Sequence, residues 1–125
     1  MEFDDEMLQQ FLDYLDGSAA DLKSHTEAIM KAESVPEDQV EGFYGVAHNL
    51  KGMGMTFGYN LLTEIGADCC KYIKELKTKS DADANLLADY CKVFNLIIEH
   101  RISGDGGEKG QAIVARMREK TAAAS

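Results

Sequence analysis

The chain predicts an all-α fold: an antiparallel four-helix bundle core with additional short N-terminal and C-terminal helices. Three observations predict it. Apolar residues recur at three- and four-residue spacing along most of the 125 residues. No segment sustains the period-two alternation of a strand. Proline, the commonest helix breaker, occurs once, at Pro36. A chain of this length buries one core rather than two. Residues 1–125 therefore read as one domain, with the bundle core at about 18–102 and an extra C-terminal helix at about 110–121, joined by short connections.

The elements follow in order. Residues 4–16 place Met7, Leu8, Phe11 and Leu15 on one face, with acids in the first turn where the helix dipole favours them. Gly17-Ser18 reads as an interruption, with Ser18 as N-cap of a second helix to about Glu33 whose apolar stripe is Leu22, Ile29 and Met30. Pro36 marks the start of a third helix, Glu37 to Phe57, which Gly58 closes in the left-handed conformation. A fourth spans Asn60 to Thr78, carrying Leu62, Ile65, Cys69, Ile73 and Leu76. After the turn KSDAD, a fifth carries Leu86, Leu87, Tyr90, Phe94, Ile97 and Ile98 and stops near Gly104. SGDGGEKG is a loop by composition. A shorter helix from Ala112 to about Lys120 precedes a TAAAS tail expected to fray.

Charge and composition exclude several functions. Thirteen basic against 22 acidic side chains leave a net charge of −9, which disfavours binding to a phosphate backbone and so to nucleic acid. No unbroken apolar run approaches a membrane span, and MEFDDEMLQQ lacks the plan of a signal peptide. Cytoplasmic location is the expectation. Cys69, Cys70 and Cys91 have no metal-type spacing and read as reduced, partly buried thiols. No metal site is expected.

The stretch VAHNLKGMGMTFGYNLLTEIG carries the chemistry. At 100° per residue, Phe43, Ala47, Leu50, Gly54 and Phe57 form the core face, and His48 falls about 140° from Phe43, on the solvent side. Gly52 lies one turn beyond the histidine near the same line, with Glu41 and Tyr44 in the preceding turns. Lys51 sits on the shoulder between histidine and core. An interior glycine costs a helix about 0.8–1.0 kcal/mol relative to alanine. Gly54 faces inward, where a missing side chain admits another helix. Gly52 faces outward, where packing within the chain cannot explain it and a cleared surface can. An exposed imidazole is a nucleophile that titrates near neutrality as a residue type, and a nearby lysine is a movable charge suited to phosphoryl oxygens. His25 and His100 lack such company and read as surface or helix-terminal residues.

AHNLKGMGMTFGYNLLTEIG resembles the signature of histidine-containing phosphotransfer (HPt) domains: the histidine, then x-Leu-Lys-Gly, a helix-ending glycine and a leucine-rich next helix. The motif covers about residues 47–66 and the helical layout about 18–102. The resemblance implies His48 as phosphoacceptor, at Nε2, and Lys51 as the charge assisting the phosphoryl oxygens. It implies Gly52 as docking clearance, with Tyr44, Glu41 and Met55 around it. The partners implied are receiver domains of response regulators and of a hybrid histidine kinase, within a multistep phosphorelay. The magnesium of such transfers belongs to the partner's acidic pocket, so no cofactor is expected on this chain. Met53 departs from the small residue that often follows the Lys-Gly pair; the wheel turns it about 80° from the core centre. Lys71 and Lys74 lie on one side of the fourth helix and add positive charge to the docking surface if that side adjoins His48.

The chain has no phosphate-binding or kinase-type glycine loop, so it is expected to be a phosphocarrier rather than an ATP-dependent enzyme. The runner-up is a pseudo-phosphotransfer module that docks on receivers without accepting phosphate; the intact His48 and Lys51 weigh against it. A structural helical adapter leaves an outward glycine beside an outward histidine unexplained. No second acid–base residue accompanies His48 in sequence to suggest a hydrolase. No long heptad run argues for a coiled-coil dimer, and a monomer is expected.

Overall fold

Asp4 opens the first helix: in the computed structural model, which describes residues 3–124, its carboxylate accepts the Met7 backbone N–H at 2.7 Å. That satisfies one of the orphan donors of a helix start. From there α1 (Asp5–Lys31) runs without a break. The expected interruption at Gly17-Ser18, and with it the separate short N-terminal helix, is corrected: Ser18 is a buried residue inside α1, not a cap. The reason is the stripe Phe11, Leu15, Ser18, Leu22, His25, Ile29, spaced 4-3-4-3-4, which presents one continuous face to the rest of the protein. The packing of that face outweighs the roughly 1 kcal/mol that one glycine costs a helix. Met7, Leu8 and Met30 stand off this face and are exposed.

Pro36 precedes α2 (Glu37–Phe57), and Gly58 ends it in the left-handed region with φ of 79°. A residue with a Cβ is strained there, so the glycine fixes the turn. α3 (Asn60–Lys74) follows at once and ends four residues short of the expected Thr78. The chain then makes a 3-10 turn over Lys79–Asp81, and the Tyr72 hydroxyl accepts the Asp83 N–H at 2.8 Å, tying this connection back to α3. α4 (Ala84–Glu99) is capped by the Asp83 carboxylate and ends well before Gly104, because Arg101 takes a positive φ of 50° that no α-helix continues. The last helix, α5 (Gly107–Ala124), is longer than expected at both ends. Its final turn holds the alanines read as a frayed tail, of which Ser125 lies outside the described residues.

The packing explains why α5 is long. α1 contacts α2 and α4, α2 contacts α3, and α3 contacts α4, while α5 lies on α3 and α4. Every apolar residue expected on the core face of α4 is buried, as are Leu62, Ile65, Cys69 and Ile73 of α3. Val114 and Met117 extend the same core from α5. The Gly104 segment joins the end of the bundle, its N–H donating to Gly58 O and its carbonyl accepting from Leu61 N, each at 2.7 Å. His25 is corrected too: it is half-buried in mid-helix, packed against Gly42 and hydrogen-bonded through Nδ1 to Gln39 Oε1 at 2.8 Å. The described residues form α-helices and a 3-10 turn with no strand, and no helix is long and apolar enough to cross a membrane.

Candidate functional site

The site is built on α2, whose inward residues Phe43, Ala47, Leu50 and Gly54 are buried and so fix the rotation of the whole helix. That rotation leaves Glu41, His48, Gly52 and Met55 exposed along one line, with Tyr44 half-buried among them. Met55, 71% exposed, is the most open of the large apolar side chains among the described residues. The Tyr44 ring stacks on the His48 ring with centroids 5.9 Å apart and planes 19° from parallel, which orients the imidazole from the preceding turn. Neither ring nitrogen of His48 has a hydrogen-bond partner among the described residues. A histidine held by stacking alone keeps a nitrogen lone pair free for chemistry.

One turn on, Gly52 has open space where a side chain would begin: a Cβ built there meets nothing within 4 Å. Gly54 and Gly66 are the opposite case. A Cβ on Gly54 would lie 3.0 Å from the Tyr59 carbonyl oxygen, and one on Gly66 would lie 3.0 Å from Lys51 Cβ and 3.2 Å from Ala47 O. These two glycines let α3 seat directly against α2, and the Thr63 hydroxyl locks the contact by donating to Lys51 O at 2.9 Å. The helix carrying the histidine is therefore rigidly backed while its outer face is bare.

His48 and Gly52 share an open groove of about 540 Å³ with Tyr14, Asn49, Met53 and Thr56. Tyr14 comes from α1 and was not legible as a site residue, since only the docking of α1 on α2 brings it there. Met7 precedes it by seven residues, nearly two helical turns, and so lies on the same flank of α1. Met53 is half-buried and lines the histidine groove, closer to the site than its wheel angle implied.

Lys51 does not line that groove. It is half-buried on the other shoulder of α2, in a second groove with Ala67, Cys70, Lys71 and Lys74 of α3. The side of α3 carrying these lysines thus adjoins the Lys51 shoulder of α2, and neither Lys71 nor Lys74 lines the His48 groove. Burial pushes the Cys70 thiol above its ordinary range, while the positive charges of Lys51 and Lys74 pull it back. The three lysines, with Glu75 among them, leave this groove net positive on an acidic protein. Cys69, Cys70 and Cys91 are all free and buried, and no group of His, Cys, Asp and Glu among the described residues could hold a metal ion.

No family model, curated protein or solved structure matches this chain.

Proposed function

We propose that this chain is a histidine phosphotransfer domain that carries a phosphoryl group on His48 between receiver-domain aspartates of a hybrid kinase and a response regulator. One observation carries the reading: an exposed imidazole, stacked but unbonded, stands one turn from a helical glycine over open space. The glycine costs helix stability, and nothing in the described residues fills the space its missing Cβ leaves, so we assign that space to a partner. The motif resemblance supplies the nature of that partner. The finer fold reading belongs to the same proposal: α1 to α4 as an antiparallel four-helix bundle with α5 added. The closed ring of contacts from α1 through α2, α3 and α4 back to α1 supports it.

The Nε2 lone pair of neutral His48 attacks the phosphorus of a receiver's aspartyl phosphate. A P–N bond forms, the P–O bond to the partner's carboxylate breaks, and the carboxylate leaves as the anion; the imidazole keeps its Nδ1 proton. A second receiver reverses the step. Catalysis of this kind is mainly positioning and charge neutralisation. Tyr44 holds the ring, Gly52 admits the partner's acidic pocket, and Lys51 places a movable charge on the α3 side, with Lys71 and Lys74 extending it. Glu41, Met55 and Met7 border the docking face. The compartment this implies is the cytoplasm, with the domain acting as a monomer and the receivers bringing the magnesium.

The test is phosphoryl transfer from a panel of labelled, phosphorylated receiver domains to the wild type and to His48→Gln. Label on the wild type and none on the variant is the expected result. Receiver binding without label on either protein would favour the docking module, and neither binding nor transfer across the panel would overturn the reading.

A further inference from the structure

The face built by α4 and α5 has no part in the proposed transfer, and its chemistry differs from the rest of the molecule. Between these helices runs an open groove of about 340 Å³. Val93 and Leu96 of α4 and Ile113 and Met117 of α5 make its floor; Leu96 is 39% exposed although it stands in a helix whose other apolar face is buried. Lys92 and Arg116 stand on opposite rims, one from each helix. Neither makes an ion pair among the described residues, whereas Lys120 and Asp89, which also line the groove, hold each other at 3.0 Å and cancel in charge. α5 carries four basic and two acidic side chains in a chain of net charge −9.

Two features of this groove select an occupant. Its apolar lining pairs Ile113 and Met117 of α5 with Val93 and Leu96 of α4, each pair three or four residues apart, so the apolar strip is about one helical turn long on each side. An amphipathic helix laid in it would seat one turn of apolar residues between α4 and α5. The two uncommitted cations flanking the strip select the charge of that helix. A basic ligand would meet repulsion here, and an acidic one finds partners on both rims. We propose that the α4–α5 groove is a second docking surface, taking an acidic amphipathic helix of a partner protein, with apolar residues on Leu96 and Ile113 and carboxylates against Lys92 and Arg116. Its residues belong to α4 and α5, and none of them lines the His48 groove, so both surfaces can be occupied at once.

The probe is a fluorescent synthetic helix with leucine at i, i+3, i+4 and i+7 and glutamate on both flanks, titrated by anisotropy. A second peptide has lysine in place of each glutamate. The wild type should bind the acidic peptide at least about tenfold more tightly than the basic one, with affinity falling as salt rises. The double variant Lys92→Glu, Arg116→Glu should reverse that order, and Leu96→Gln should weaken the acidic peptide without changing helicity by circular dichroism. Both substituted sites are exposed rim positions, so folding is retained. Equal binding of the two peptides, or none, would overturn the proposal. So would binding of the wild type to anionic phosphatidylserine vesicles in place of the acidic peptide. Sedimentation showing a dimer that the charge-reversed variant abolishes would give the groove to a second copy and equally overturn it.

Discussion

Gly52 and Gly66 sit on neighbouring helices, and replacing each should have opposite consequences. Gly52→Gln should abolish transfer from receivers while leaving stability unchanged or raised by up to about 0.8–1.0 kcal/mol, since glutamine is the better helix former and the space is open. Full transfer in that variant would remove Gly52 from docking. Gly66→Ala should destabilise in urea unfolding, because overpacking costs about 1–3 kcal/mol and the new Cβ would press on the Lys51 and Ala47 backbone. Lys51→Ala should slow transfer roughly tenfold without abolishing it, as expected for one charge among several around a developing anion; an unchanged rate would remove lysine from the mechanism. The outward histidine and the different surroundings of Gly52 and Gly54, one open and one packed, were legible in the sequence, because a 100° turn per residue is all they require. The need for Gly66 was not. It arises from the Lys51 backbone, which meets it only once α3 has docked on α2.

Helix α1 shows how an element can be misread when its core stripe contains polar residues. Ser18 and His25 occupy buried or half-buried positions in the 4-3-4-3-4 series, so the apolar pattern looks broken where the packing is continuous. Gly17 then draws the eye as a turn, although its φ is not positive and it is exposed. Gly17→Ala should therefore stabilise the protein by about 0.5–1 kcal/mol, as for any exposed helix-interior glycine. A fall in melting temperature would instead put a turn back at that position. By contrast, α2 was legible to the residue, since Pro36 and Gly58 mark its two ends by mechanisms that need no tertiary partner.

At the scale of the molecule, α5 is part of the core rather than an appendage. Met117→Ala should cost about 2–5 kcal/mol of stability yet leave transfer to folded protein unchanged, because Met117 lies on α5, away from the histidine groove. Tyr90 reports the same docking. Its hydroxyl bonds Thr121 of α5 at 2.8 Å, and burial pushes its phenol up to about 12. Below pH of about 10 folded and unfolded chains both keep that proton, so the contribution is complete there. Between about 10 and about 12 the unfolded chain loses a proton that the folded one retains, and stability falls as pH rises. Tyr90→Phe should flatten that stretch of the stability profile. Such long-range pairings, thirty-one residues apart in this case, leave no trace in local periodicity, which is why α5 read as short and peripheral. The proposed phosphoryl acceptor is one atom of the whole, Nε2 of His48. Phosphorus–nitrogen correlation by NMR, on protein labelled with nitrogen-15 and charged by a phosphorylated receiver, tests it most directly. A single phosphoramidate at Nε2 of His48 is the expected result; phosphorus on any other residue, or none on the protein with an active donor, would overturn the proposed carrier role.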